Sequence, residues 1–247
     1  MEMETATWAA AIFGVLLAGI SKGGFGAGVG FLATPLIALT IPPSQALAIM
    51  LPILILMDVV NVKSYWRQWD SAAARPIIIY GALGIFCAAL IFSFVDANML
   101  RFALGLIAIL FAISQWIGPP RATSGPIIAA ILGWTTGFIS TIAHAGGPPV
   151  TMHLLGQKLD KLTYQATSVI IFWAINLMKV PAFMALGLVH ANGLSTSLVL
   201  APVAIIGVGL GVWAHKRVPA GPFFRIMTAA LFFTGIKLAW DGLSAWI

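Results

Sequence analysis

Six polar residues interrupt stretches that are otherwise apolar: Lys22, Asp58, Asn61, His144, Asn176 and Lys179. A charge deep in hydrocarbon costs roughly 2.5–3.5 kcal/mol on insertion scales, so such groups normally face protein or water and mark a pathway. Lys22 is followed by Gly23, Gly24, Gly26, Gly28 and Gly30. Backbone N–H groups at an unwound turn and the positive ends of short helices favour an anion there, and a lysine adds to that field. A lysine snorkelling to the interface is the plainer alternative. His144 stands in a second break, beside Gly146, Gly147 and Pro148. Its imidazole suits donation to an anion, proton coupling, or a structural hydrogen bond across the break. Asp58 with Asn61, and Asn176 with Lys179, are i, i+3 polar pairs. Asp58 reads either as a lysine's partner or as a gate, and Lys179 either as a gate or as a snorkelling residue. The substrate-binding candidates are therefore Lys22, Gly23, Gly24, Gly26, Gly28, His144, Gly146, Gly147 and Asn176; those for gating or coupling are Asp58, Asn61 and Lys179.

Other chemistries lack their residues. The glycine run has no preceding strand and no terminal Lys-Ser/Thr, so it is a poor nucleotide loop. No Ser/His/Asp spacing and no paired carboxylates support catalysis. His144, His153, His190 and His215 with the single Cys87 show no metal-ligand spacing, and one cysteine allows no internal disulfide. Neither an enzyme nor a cofactor is expected. His153, Tyr164, His190 and His215 read as peripheral.

The elements that must position these residues are membrane helices. Of 247 residues, 60% are hydrophobic and 8% charged, against about 25% charged in soluble domains; the mean hydropathy is +1.01. The partner implied is the lipid bilayer. The net charge of +6 is spread over short loops and forms no patch for nucleic acid. Residues 1–7 carry Glu2 and Glu4 without a basic segment, which reads as a mature end running into a first span. Apolar stretches cover approximately 8–39, 44–62, 73–95, 98–117, 124–155, 162–187, 190–213 and 222–240. Two of them, 8–39 and 124–155, run to about 32 residues, too long for one span of ~20. Glycine and proline break both near the centre, which predicts two short helices meeting at an unwound turn. Trp66, Trp69, Trp116, Trp213 and Trp240 fall near span ends as an aromatic belt, and Lys237 and Asp241 read as interface anchors.

A shift of 118 residues lays Gly19 on Gly137, Gly28 on Gly146, Ala48 on Ala166, Asp58 on Asn176 and Asn61 on Lys179. This predicts one transmembrane domain over 1–247 built from two repeats, about 8–117 and about 124–241. Each holds a broken or re-entrant helix pair followed by three spanning helices, as in secondary transporters. Lys63, Arg67 and Arg75 place the 63–75 loop inside, Asp96 and Arg101 flank an outer turn, and Arg121, Lys158, Lys161, His215, Lys216 and Arg217 mark inner loops. Arg121 and Lys158 bracket the second broken stretch yet vote for one side, so that stretch returns to its starting face. The fold class expected is an all-α polytopic membrane protein with two inverted repeats. Gly/Ala faces would suit a homodimer, although packing inside the protomer also uses them.

Three ordered motifs carry a resemblance. They are Gly19, Lys22-Gly23-Gly24-Phe25-Gly26-Ala27-Gly28-Val29-Gly30 and Pro35-Leu36; then Gly133, Gly137, His144-Ala145-Gly146-Gly147-Pro148-Pro149 and Ala166-Thr167; then Pro202-Val203, Gly207, Gly211, Arg217-Val218, Phe224-Arg225 and Gly235. In this order the chain resembles the sulfite exporter TauE/SafE family. The resemblance implies a bacterial inner-membrane, multi-pass permease for sulfite, sulfonates, sulfoacetate or related organic anions, working without ATP and coupled to a proton or cation gradient. A passive anion channel and a noncatalytic membrane scaffold are the competing classes.

Overall fold

Long apolar runs without internal charge favour α-helix, because a bilayer leaves no water to satisfy open backbone groups. The computed structural model describes residues 4–25, 30–117, 125–215, 217 and 220–246. Glu2, Gly26, Ala27, Gly28, Val29, Arg121, Lys216 and Val218 lie outside these described residues. The helices are α1 (Thr5–Ile20), α2 (Ala33–Ala38), α3 (Pro43–Ser64), α4 (Ser71–Phe92), α5 (Ala97–Ile117), α6 (Pro126–Ala143), α7 (Gly147–Gly156), α8 (Lys161–Ala185), α9 (Ala191–His215) and α10 (Ala220–Ser244). Among the described residues, eight helices are long and apolar enough to cross a membrane. The expected all-α polytopic membrane protein is therefore what the chain forms.

The two overlong stretches break where expected, but unequally. Helix α1 runs on through a π-helical turn, Ser21–Phe25, to make a span of Thr5–Gly24, whereas α2 has only 6 residues. Helix α6 has 18 residues and α7 only 10. At ~1.5 Å per residue, α2 and α7 reach roughly 9 and 15 Å, far short of a core of about 30 Å. So each stretch is one spanning helix plus one short one, not two short helices. His144 ends α6 with φ 55°, a left-handed conformation that closes the helix. Gly146 then caps α7, and Pro148 and Pro149 sit in its first turn, where their missing N–H groups cost nothing.

Acidic residues start several helices. The Asp70 carboxylate accepts from Ala73 N at 2.8 Å. Asp96 accepts from Asn98 N and Met99 N, and Asp160 from Leu162 N and Thr163 N. Each satisfies N–H groups that the helix cannot. Asp70 N–H also donates to Thr167 Oγ1 at 2.9 Å, joining the start of α4 to α8.

Apolar surface faces outward, as lipid requires: Phe94, Ile127 and Leu198 are 86%, 74% and 75% exposed. The interior is held by close backbone approach. A Cβ on Gly84 would lie 2.0 Å from Trp134 O, one on Gly137 1.9 Å from Gly81 O, and one on Gly24 2.1 Å from Gly211 O. Such contacts are the small-residue packing used between membrane helices. They also give direction. Gly133 meets Ile77, Gly137 meets Gly81, and Gly84 meets Phe138, so α4 and α6 run parallel. Gly207 meets Leu16 and Gly211 meets Ile20, so α9 and α1 run parallel too. Gly105 meets Gly235 and Ala239 while Gly242 meets Phe102 and Asn98, making α5 and α10 antiparallel. Helices α3 and α8 meet through Asp58 and Asn176 near one end and through a cluster holding Leu47, Leu51 and Phe183 near the other. They too are antiparallel.

Candidate functional site

The polar residues singled out from sequence converge on the helix breaks. Lys22, in the π-helical turn after α1, forms an ion pair with Asp58 of α3 and reaches Leu54 O at 3.5 Å. The second oxygen of Asp58 accepts from Asn176 Nδ2 of α8 at 2.6 Å. Both carboxylate oxygens are thus engaged, and the Asp58 side chain is only 2% exposed. Of the two readings of Asp58, pairing with a lysine is realised, and the lysine is Lys22. Asn61, one turn on, is buried beside this pair in a crevice of about 10 Å³ that also touches Gln165 and Ser168.

One turn further along α8 lies the second group. Lys179 is fully buried, with 0% exposure, so it is not a snorkelling residue: α8 carries it toward the centre of the bundle, where α6 ends. Its Nζ donates to Ser140 O at 3.1 Å, Ser140 Oγ at 3.0 Å and His144 Nδ1 at 2.7 Å. The opposite ring nitrogen, His144 Nε2, lies 3.1 Å from Leu47 O. A carbonyl only accepts, so Nε2 carries the ring proton and Nδ1 offers its lone pair to Lys179. His144 therefore bridges α8 to α3 across the break that it caps. Its three partners are all neutral groups; none is a carboxylate.

The glycines divide. Gly23 and Gly24 press against the α9 backbone, where added Cβ atoms would stand 2.3 Å from Val208 O and 2.1 Å from Gly211 O. Gly146 faces Thr136 and Ser140, and Gly147 opens α7. Gly26 and Gly28 lie outside the described residues. His153, expected at the periphery, is 3% exposed and contacts Ala73 O through Nε2 at 2.9 Å. The short α7 does not reach the far surface, and its Pro149, Val150, His153 and Leu154 are packed into the bundle. Lys237 and Asp241 do form an exposed i, i+4 pair.

A large cavity opens near the N-terminal ends of α1, α3 and α9. It measures about 570 Å³ and is lined by Trp8, Gln45, His190, Asn192, Ser195 and Thr196 among others. Its lining includes Ala48 and Ile49, which lie between Leu47 and Met50 in α3; the Ile49 carbonyl accepts from Ser197 Oγ at 2.7 Å. Sequence reasoning missed this vestibule because its lining holds no Asp, Glu, Lys or Arg. It also missed Ser140, for which a signal existed: the 118-residue shift lays Ser140 on Lys22. Among the described residues, no group of three or more His, Cys, Asp or Glu is arranged to hold a metal ion.

No curated protein and no solved structure matches the chain. The family model described as "Sulfite exporter TauE/SafE" matches residues 11–238, which takes in both breaks, both polar groups and all eight spans in whole or in part. The chain is thus a multi-pass membrane transporter that belongs to the sulfite exporter TauE/SafE family.

Proposed function

We propose that the chain is a secondary transporter of a small sulfur-containing or organic anion of the sulfite, sulfonate or sulfoacetate type. It works by alternating access in a bacterial inner membrane, with a proton or cation gradient as the driving force. The anion binds where the two broken units meet, against Lys22, Gly23, Gly24, His144, Gly146, Gly147 and Asn176. Asp58, Asn61 and Lys179 serve gating or charge balance.

The observation that carries this reading is the hydrogen bond between Asp58 and Asn176, whose numbers differ by 118. That is the shift that relates the two halves of the sequence. A residue touching its own counterpart lies at the pseudo-two-fold axis, and in transporters of this design substrate sites lie at that repeat interface. The helix directions support inversion. The counterparts α3 and α8 cross antiparallel, as do α5 and α10, and the parallel pair α1–α9 has its mate in α6–α4. Contacts of the short helices support a return to the starting face. Gly14 of α1 touches Ala33 of α2, and His153 of α7 reaches Ala73, at the beginning of α4. Because α4 and α6 are parallel, that contact lies level with the early part of α6.

Two measurements test the reading. In proteoliposomes, labelled sulfite or a sulfonate should enter saturably and be accelerated by unlabelled anion inside; a flux without saturation or trans-stimulation identifies a channel. In a Cys87→Ser background, Gln68→Cys and Gln157→Cys should label from one membrane face and Ser195→Cys from the other. Labelling of positions 68 and 157 from opposite faces would overturn the returning unit and the inverted repeat with it.

A further inference from the structure

Three polar side chains stand unbonded beside the Lys22–Asp58 pair. Asn61, Gln165 and Ser168 line the crevice of about 10 Å³ together with Lys22 and Asp58, and Val169 and Phe172 complete its wall. Asn61 and Ser168 are 3% and 6% exposed, yet among the described residues none of the three side chains makes a hydrogen bond. A buried amide or hydroxyl without a partner is costly, so these atoms call for water. A polar space of roughly 10–15 Å³ with two to four partners is what one water requires, and it is far too small for a sulfonate. Asn61 stands in the last turn of α3 and Gln165 in the second turn of α8; Gln165 is partly exposed. The crevice therefore leads from Asp58 toward the face of Lys63, Lys158 and Lys161, the inner one by their charge.

Resting on the transport reading above, in which Lys22 receives the anion, we propose that Asp58 is the site of the coupling proton and that a water held by Asn61, Gln165 and Ser168 delivers it from the inner face. The proton passes from a hydronium in the crevice to Asp58 Oδ1; an O–H bond forms there and a neutral water is left. Oδ2 still accepts from Asn176 Nδ2, because a protonated carboxyl keeps acceptor capacity. Oδ1 has turned from acceptor to donor, and its ion pair with Lys22 is broken. The Lys22 ammonium, 9% exposed, is then a buried charge without a partner, which is strongly disfavoured until an anion takes the carboxylate's place. Proton and monovalent anion therefore load together, one to one, and cross without net charge. A metal cation would sit against the Lys22 ammonium and displace two N–H donors, whereas a proton needs one lone pair. Few other titratable groups adjoin Asp58. Lys179 lies one turn beyond Asn176, bonded to Ser140 and His144. Lys63 and Lys161 are exposed near the inner surface, and Tyr164 packs against the cluster of Ile77 and Leu154. Helices α1 and α2 carry no titratable side chain, and His215 is the last residue of α9. Arg101 of α5 follows Leu100, which packs with Leu47 and Leu51 at the far end of α3.

The test is net uptake of labelled methanesulfonate by the full chain in proteoliposomes, with exchange at uniform pH as the reference. Methanesulfonate is the anion of a strong acid, so it does not cross lipid in a neutral form. With one-to-one coupling, each unit of pH gradient, acid outside, should accumulate the anion about tenfold, whatever the membrane potential. Asp58→Asn should abolish this accumulation. Gln165→Leu, at the partly exposed mouth, and Ser168→Leu, which fills the crevice, should each slow net uptake relative to exchange by about tenfold. If Asp58→Asn does not fold, the wild type under imposed gradients and Gln165→Leu decide. Wild-type uptake indifferent to a proton gradient overturns the inference, as does equal accumulation under a sodium gradient at uniform pH. Accumulation retained by Asp58→Asn overturns it too, and so does net uptake that keeps pace with exchange in both crevice variants. A folded wild type that carries no anion in either assay refutes the transport reading itself, which is a different result.

Discussion

Replacing Lys22 and Asp58 singly and together measures how the buried pair holds the first break. The perturbations are Lys22→Met, Asp58→Leu and the double variant. In the native chain the two side chains are 9% and 2% exposed, so neither charge has water to fall back on. Removing one partner of a buried pair costs about 3–5 kcal/mol, because the other charge stays behind unpaired. In Asp58→Leu the Nδ2 group of Asn176 also loses its acceptor. The double variant leaves no stranded ion; its main defect is that amide, worth about 1–3 kcal/mol. The singles should therefore each destabilise more than the double, with a coupling energy of at least about 3 kcal/mol, the upper end for neighbouring side chains. Reversible unfolding in detergent micelles reads all four proteins. A double variant as unstable as the sum of its singles would refute the pairing.

Two further predictions concern stability. Gly84→Ala should destabilise by about 1–3 kcal/mol or more, since its Cβ would meet Trp134 O at 2.0 Å and force α4 from α6. Gly209→Ala, with nothing within 4 Å, should be neutral or stabilising by up to about 1 kcal/mol. Thermal unfolding of the two variants side by side checks this contrast. The Asp160 carboxyl is held below the ordinary carboxylate range first by its side-chain hydrogen bond with Thr163. Its cap is therefore fully present above the unfolded value of about 3.9 and is lost as pH falls through the lower native value. The protection of the Leu162 and Thr163 amides, taken as exchange relative to the intrinsic rate at the same pH, should fall below about pH 4, and Asp160→Asn should remove that change; protection that stays constant with pH in the wild type would refute the cap.

The spans are legible in the sequence because lipid demands apolar surface on every crossing helix, and the two breaks are legible because glycine and proline density has few other uses there. The inequality of the halves is not. Both sides of each break are equally apolar, and only packing against α3 and α4 decides how long each helix runs. Asp58 and Lys22 could be named separately, but their distance depends on how α1 leans on α3. Lys179 is instructive. A lysine near a span end reads as snorkelling, and depth is a property of the bundle that no local pattern records. His153 was misplaced for the same reason, since a short helix buried in the interior and a surface helix have similar compositions. The vestibule left no mark because side chains from three separate helices and the loops beside them line it, with no Asp, Glu, Lys or Arg among them.

Several of the acceptors that fix the buried cations and histidines are main-chain oxygens: Leu54 O for Lys22, Ser140 O for Lys179, Leu47 O for His144 and Ala73 O for His153. Leucine at 47 or 54 can be exchanged for another apolar residue of similar size while its carbonyl stays in place. An alanine scan would thus report these positions as packing residues and pass over their electrostatic work. Divergent sequences can keep the same polar geometry with different letters at those sites. What they must keep is the helix register of α3, so a one-residue insertion there should do more harm than most substitutions.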